Sequence, residues 1–285
     1  MTPAAEKLRA LLAAPGCLHI PTCFDGLSAR LIEQSGYGLT FMSGAAVAAT
    51  RLGVPDIGLI TLSEMADQLR YICAAAPDLV VLADGDTGYG NAASIRRTIA
   101  EFARAGAACV MIEDQQDPKR CGHFEGKAVV SRADARLRVR AAVAAAREYG
   151  VLLIARTDAR AIEGFGAALQ RCMDFVEEGA DIIFLEAPTS EQELCDFARS
   201  IPRPTLANLV PGGKTPLLSR DELNAMGFKL AIHHPLFFAV IGAMLSSLEA
   251  MKTEQRPGPS PVTLEQMKLV LGLERYDALA RKYGR

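Results

Sequence analysis

The chain has 285 residues, half of them apolar, and a formal net charge of −2 from 31 basic and 33 acidic side chains. That supports one large core or at most two domains, and it excludes a basic nucleic-acid binder and a charge-driven disordered tail. The seven cysteines are odd in number, scattered and without a CxxC pair, as expected of a reduced, cytoplasmic chain.

The opening MTPAAEKLRALLAAPG lacks a secretory pattern, because Glu6, Lys7 and Arg9 interrupt any apolar stretch. Short β-type runs then alternate with longer Ala-, Arg- and Glu-rich stretches. The runs are LHIPTC (18–23), LTFMS (39–43), LVVLAD (79–84), CVMIED (109–114), VLLIAR (151–156), DIIFLE (181–186), TLANL (205–209) and FKLAI (228–232). Helical patterns fall between them, as at 92–105, 131–149 and 166–178. Eight strand–helix repeats predict a parallel sheet covered on both faces, and the length fits one (β/α)8 TIM barrel better than a doubly wound sheet. No GxGxxG opens a helix after the first strand, which weakens the dinucleotide-fold alternative. The longest apolar run, Pro235 to Leu248, is short of the ~20 residues that span a bilayer, so no membrane association is expected. A Pro-rich break at 256–261 precedes two further helices, 263–273 and 274–283. The reading is a single barrel domain over 1–285 with a C-terminal helical extension from about 257.

Chemistry in a barrel sits at the C-terminal ends of the strands. Here those ends carry Ser43, Asp84, Glu113, Arg156, Glu186 and Asn208, whereas the strand starts show nothing comparable. Asp84 and Asp86 frame LADGDTGYGN, and residues two apart on an extended segment face the same way. Glu113, Asp114 and Glu186 add further carboxylates, whose mutual repulsion calls for a cation. All-oxygen ligands favour Mg2+ or Mn2+ over zinc. The competing reading of DGDTGYGN is a plain βα turn with a helix cap. Arg156 can grip a substrate carboxylate with two prongs or neutralise a buried acid. Ser43-Gly44-Ala45 offers a hydroxyl and backbone N–H groups to a small carboxylate.

The segment DPKRCGHFEGK lies in a long connection, 117–130, of the kind that forms lids. Lys119 and Arg120 flank Cys121, with His123 two residues on. Such neighbours predict a thiol pKa lowered toward neutrality, which suits proton transfer. A nucleophile, a metal ligand or an ordinary surface thiol in a basic turn stay open as alternatives.

These residues carry a likeness. FMSGAAVAATRLGVPDIGLITLSEM, DGDTGYGN, IEDQQDPKRCGH, IARTDA, LEAPTS and ANLVPGGKTPLLSRDEL resemble the isocitrate lyase / phosphoenolpyruvate mutase superfamily over nearly the whole chain. The nearest likeness is to the branch holding 2-methylisocitrate lyase and 2,3-dimethylmalate lyase. KRCGH resembles the mobile catalytic loop of the lyases. The resemblance implies a barrel whose last helix swaps onto a partner subunit, in a homotetramer built from two such dimers. It implies Mg2+ near Asp84, Asp86, Glu113 and Asp56, and a keto-acid carboxylate held by Ser43, Gly44 and Arg156. It also implies Cys121 as general acid, with Lys119, Arg120, Gly122, His123, Glu186 and Asn208 completing the pocket. Phe41, Ala45 and Pro235 belong to its implied substrate-binding set.

The expected activity is Mg2+-dependent cleavage of a carbon–carbon bond in a 2-hydroxy di- or tricarboxylate, of the 2,3-dimethylmalate or 2-methylisocitrate type, to pyruvate plus a carboxylate. The alternatives are oxaloacetate hydrolysis or decarboxylation and a carboxyphosphonoenolpyruvate-type phosphonomutase. Val210 and Pro211 stand where methylisocitrate lyases tend to carry Thr and Glu. Pro235 resembles the residue of the lyases, and His233 and His234 are unusual for this strand end. Those positions bear on substrate choice.

Overall fold

Every β-type run becomes a strand in the computed structural model, which describes residues 1–253 and 262–284. The strands are β1 Leu18–Cys23, β2 Leu39–Met42, β3 Val80–Asp84, β4 Cys109–Glu113, β5 Leu152–Thr157, β6 Ile182–Leu185, β7 Thr205–Leu209 and β8 Leu230–His233. Each pairs in parallel with the next and β8 closes on β1, so the sheet is a closed eight-stranded barrel, as expected. The helices run α1 Pro3–Ala13, α2 Gly26–Gln34, α3 Gly44–Val47, α4 Leu62–Ala75, α5 Ala92–Ala105, α6 Arg132–Tyr149, α7 Arg160–Glu163, α8 Phe165–Glu178, α9 Glu191–Ser200 and α10 Arg220–Met226. Local chemistry sets their starts. Thr61, Asn91, Ser131, Ser190 and Ser219 each accept a backbone N–H of the first turn with the side chain.

The barrel interior is filled by alternate residues of the strands: Ile20, Leu39, Phe41, Val80, Leu82, Cys109, Met111, Leu152, Ile154, Ile182, Phe184, Leu206, Leu230 and Ile232. Ala5 and Leu8 of α1 join that cluster. The Thr2 N–H bonded to Gly150 O, just ahead of β5, holds α1 at the strand-start end. One mouth is therefore plugged by apolar side chains, and the other is left for polar ones.

The chain forms two compact units, Met1–Pro235 with the barrel and Leu236–Arg285. Helix α11, Pro235–Lys252, runs four residues beyond the apolar stretch read from the sequence and buries none of its side chains. By length and composition alone, with a mean hydropathy of 1.3, it meets the threshold for crossing a membrane. The two late helices are α12 Leu264–Leu271 and α13 Leu273–Lys282. The first stops earlier than expected because Gly272 takes up a left-handed conformation, φ 71°, and ends it. The Pro-rich break at 256–261 lies outside the described residues.

Candidate active site

Continuing the interior alternation one step past the apolar layers gives the rim at the open mouth. The positions reached are Thr22, Ser43, Asp84, Glu113, Arg156, Glu186, Asn208 and His234. Phe41 packs in the layer below Ser43. Residues of the other parity face away from the interior. Asp114 is the clearest correction: it does not join the rim acids. Its carboxylate accepts from Thr157 Oγ1 at 2.7 Å, Asp158 N at 2.9 Å and Arg171 Nη1 at 3.2 Å, a buried structural knot. Likewise His233 turns outward and stacks on His19 at 4.7 Å, with Nε2 2.6 Å from His19 Nδ1.

On the acidic side, Asp84 accepts backbone N–H groups from Gly44 at 3.2 Å and from Asp86 at 3.1 Å. Gly44 must be glycine, since a Cβ there would lie 2.8 Å from Asp84 Oδ2. Ser43 caps α3 by accepting from Ala46 N, and Ala45 beside it is half-buried. The Lys119 ammonium spans Asp56 and Asp86 at 2.6 Å each. Burial disfavours the charge of Lys119, but Asp86, Glu113, Asp56 and Asp84 together outweigh it and hold its pKa well above the ordinary value. Burial, with Asp86 alongside, pushes Asp84 up to about 6. Burial likewise holds Glu113 well above the usual carboxylate range, against the pull of Arg156 and Lys119.

Arg156 is fully engaged. It bonds Asp158 through Nε at 2.9 Å and Nη2 at 3.0 Å, and lies 3.3 Å from Glu113 and 3.2 Å from Glu186. Over this mouth lies the lid, residues 117–127. Its stem is a short antiparallel pairing in which Gln115 faces Val129, Gln116 N donates to Ala128 O and Val130 N donates to Asp114 O. Gln115 grips both backbone groups of Arg120, at 2.9 and 2.8 Å. Lys127 donates to Gly122 O and reaches Asp158 at 3.1 Å. Gly122 rests directly on the site: a Cβ there would lie 2.5 Å from Arg156 Nη2 and from Glu186 Cγ. The His123 ring accepts Lys214 N–H at Nδ1, which leaves the proton on Nε2, 3.3 Å from Glu186 Oε1. The lid is therefore docked onto Arg156, Glu186 and the β7–α10 connection.

Two sequence expectations for the lid are overturned. Burial pushes the Cys121 thiol up, to about 11, and Asp56 and Glu186 add to the rise. The flanking cations fail to depress it because Lys119 is consumed by Asp56 and Asp86. Arg120 is not brought into the pocket either. It is exposed, and its guanidinium lies against Gly126. Cys121 itself is half-buried, tied by its N–H to Asp56 O at 2.9 Å. Pro235 sits exposed at the start of α11. Sequence reasoning missed Asp158 and Lys127, which lie in the quoted IARTDA and lid segments but were given no role. Period-two alternation from Arg156 would have found Asp158.

The donor set fits a hard divalent cation. Among the described residues, six buried carboxylates, Asp56, Asp84, Asp86, Glu113, Asp158 and Glu186, face three cations: Lys119, Arg156 and Lys127. Both Glu113 side-chain oxygens lack a hydrogen-bond partner although the residue is 1% exposed. Among the described residues no three His, Cys, Asp or Glu side chains already enclose an ion-sized space. An ion such as Mg2+ takes one or two carboxylates directly and keeps its waters, so the unpartnered oxygens of Glu113 are the feature that bears on it.

The profile of the family described as phosphoenolpyruvate phosphomutase matches residues 8–252. Among curated proteins the chain is 36% identical to the 2,3-dimethylmalate lyase of Eubacterium barkeri over 284 residues, 98% of each chain. It is 40% identical to the 2-methylisocitrate lyase of Aeropyrum pernix, covering 95% of this chain and 86% of that protein. Among solved structures, oxaloacetate acetylhydrolase bound to 3,3-difluorooxalacetate aligns with a TM-score of 0.94 at 35% identity, over 99% and 97% of the two chains. Phosphonopyruvate hydrolase with oxalate and Mg2+ aligns at 0.86 and 25% identity over 99% of each.

Proposed function

The chain belongs to the phosphoenolpyruvate mutase/isocitrate lyase superfamily and is an enzyme of its carbon–carbon-cleaving kind, and on that premise we propose a lyase that releases pyruvate from a 2-hydroxy dicarboxylate of the 2,3-dimethylmalate type. The observation that carries this reading is the docked KRCGH lid, which holds a protonated thiol over a pocket of one arginine and several carboxylates. The cations of the pocket, Lys119, Arg156 and Lys127, are each ion-paired already. That leaves a third substrate carboxylate poorly matched and favours a dicarboxylate over a tricarboxylate.

Glu113 and Asp84, with Asp86, would hold Mg2+, which supplies Lewis-acid polarisation of the substrate oxygen and its neighbouring carboxylate. The Ser43 hydroxyl, which caps α3 as an acceptor and keeps its own proton to give, and Arg156, exchanging its longer 3.3 Å contact to Glu113, would orient the keto-acid carboxylate. The hydroxyl proton passes to a carboxylate of the rim, the O–H electron pair becomes the carbonyl of pyruvate, and the pair of the breaking C2–C3 bond passes to C3 as a carboxylate enolate. Cys121 Sγ gives its proton to C3, and the lid keeps bulk water from that carbanion. A thiol held protonated by burial is suited to donate, so the correction to its pKa strengthens the role as acid. Lys119 and His123 spread the developing negative charge from one side each. We assign the enzyme to the cytoplasm, as a homotetramer with α11 at the subunit contacts.

A panel of dimethylmalate, methylisocitrate, isocitrate and oxaloacetate, each with Mg2+ and with chelator, tests the reading. Pyruvate from dimethylmalate, lost with chelator, is expected; oxalate from oxaloacetate alone would shift it to hydrolysis. Cys121→Ser is expected to lose turnover by about 10²-fold or more with the fold kept. Unchanged turnover in that variant sinks the general-acid role.

A further inference from the structure

Glu186 is the receiving point of the lid. Its carboxylate takes Arg156 Nη2 at 3.2 Å and Ala187 N at 2.9 Å, and His123 Nε2 of the lid stands 3.3 Å away. From Glu186 a chain of contacts runs back into the barrel wall. Asn208 Nδ2 lies 3.4 Å from Glu186 Oε2, His234 Nε2 lies 2.8 Å from Asn208 Oδ1, and Thr22 Oγ1 lies 3.5 Å from His234 Nδ1.

Only one assignment of donors satisfies this chain. A carboxylate paired with arginine only accepts, so the amide nitrogen of Asn208 must face Glu186. The amide oxygen therefore faces His234, and it too only accepts. His234 must carry its proton on Nε2, and its bare Nδ1 accepts the Thr22 hydroxyl. Burial favours the neutral ring and lowers the His234 pKa to about 4. Without the imidazole donor the Asn208 amide is held from one side only, by its 3.4 Å contact to Glu186, and its buried Oδ1 loses its partner.

We infer that His234 is a positioning residue: it fixes the amide of Asn208 and, through it, the Glu186 carboxylate on which the lid docks. This rests on the lyase reading only in giving the docked lid its use.

The test is the reactivity of Cys121, measured without substrate. Alkylation is followed peptide by peptide with iodoacetamide, with buried Cys172 as the internal report of unfolding. Losing one hydrogen bond of about 1 kcal/mol loosens the docked lid about fivefold. His234→Phe is thus expected to speed Cys121 alkylation about fivefold while Cys172 stays protected. His234→Gln keeps an N–H donor and an acceptor at similar reach and is expected to restore the wild-type rate. A wild-type rate in His234→Phe overturns the inference. So does a His234→Gln rate as fast as that of His234→Phe, which would mean the ring only fills space. Should His234→Phe not fold, Asn208→Leu cuts the chain one link later and must give the same acceleration; a wild-type rate there overturns the inference equally. Because no substrate is used, this test can fail while the lyase reading stands, and the substrate panel can fail while this one succeeds.

Discussion

Gly122 is closely confined by the side chains beneath it. Its Cα lies so close to Arg156 and Glu186 that a methyl group would overlap both at 2.5 Å. Gly122→Ala must therefore lift the lid and carry Cys121 with it. Since a displacement of about 1 Å at a reacting centre can cost about 10²-fold, the expected loss in kcat is of that order, with the melting temperature little changed because the strain is relieved by undocking. Steady-state kinetics beside a thermal melt checks it; normal kcat would mean that the lid does not need this contact. The glycine stood in plain view in KRCGH, but its reason did not. Nothing in the local sequence says that Arg156 and Glu186, from two other strands, lie under it. The same holds for Cys121. Its chain neighbours are basic, yet its spatial neighbours include Asp56 and Glu186, and burial dominates.

At the scale of elements, the lid is an excursion from the β4–α6 connection pinned at its stem. Gln115 is fully buried and satisfies both the N–H and the C=O of Arg120. Arg138 of α6 donates to Glu113 O and Gln115 O at 2.8 Å each, tying the stem to the end of β4. Gln115→Ala removes two hydrogen bonds to the lid, together about 2 kcal/mol, or about thirtyfold in the ratio of docked to undocked lid. Hydrogen exchange over 117–127 is expected to quicken by that order while the strands keep their protection. Equal exchange in lid and strands would show that the lid is held by its tip alone. The lid's length was legible as an over-long βα connection. Its stem pairing was not, because a single bridge between Gln115 and Val129 has no alternating pattern to read.

For the whole molecule, the barrel sorts its side chains by layer: apolar at the strand starts and middle, polar at the strand ends. That gradient leaves the second unit unexplained by the barrel alone. Helix α11 presents Phe238, Ile241, Met244, Leu245, Leu248 and Met251, with fractional exposures from 41% to 70%. An apolar helix with no buried residue marks an association surface more readily than a solvent face. Light scattering at micromolar concentration is expected to give four times the chain mass of 30.5 kDa. Met244→Asp with Leu248→Asp is expected to lower it; a monomeric wild type would remove the tetramer.

The sequence by itself determined the strands, their order around the barrel and the ring of polar residues at one mouth. Those features follow from a period of two and from turn chemistry, both properties of neighbouring residues. Tertiary structure alone decided that Asp114 turns away, that Lys119 is spent between Asp56 and Asp86, and that the thiol stays protonated. It also decided that His234, not His233, faces the site. These depend on which distant segments the barrel closure brings within a few ångströms, and on the desolvation that follows, neither of which a local pattern encodes.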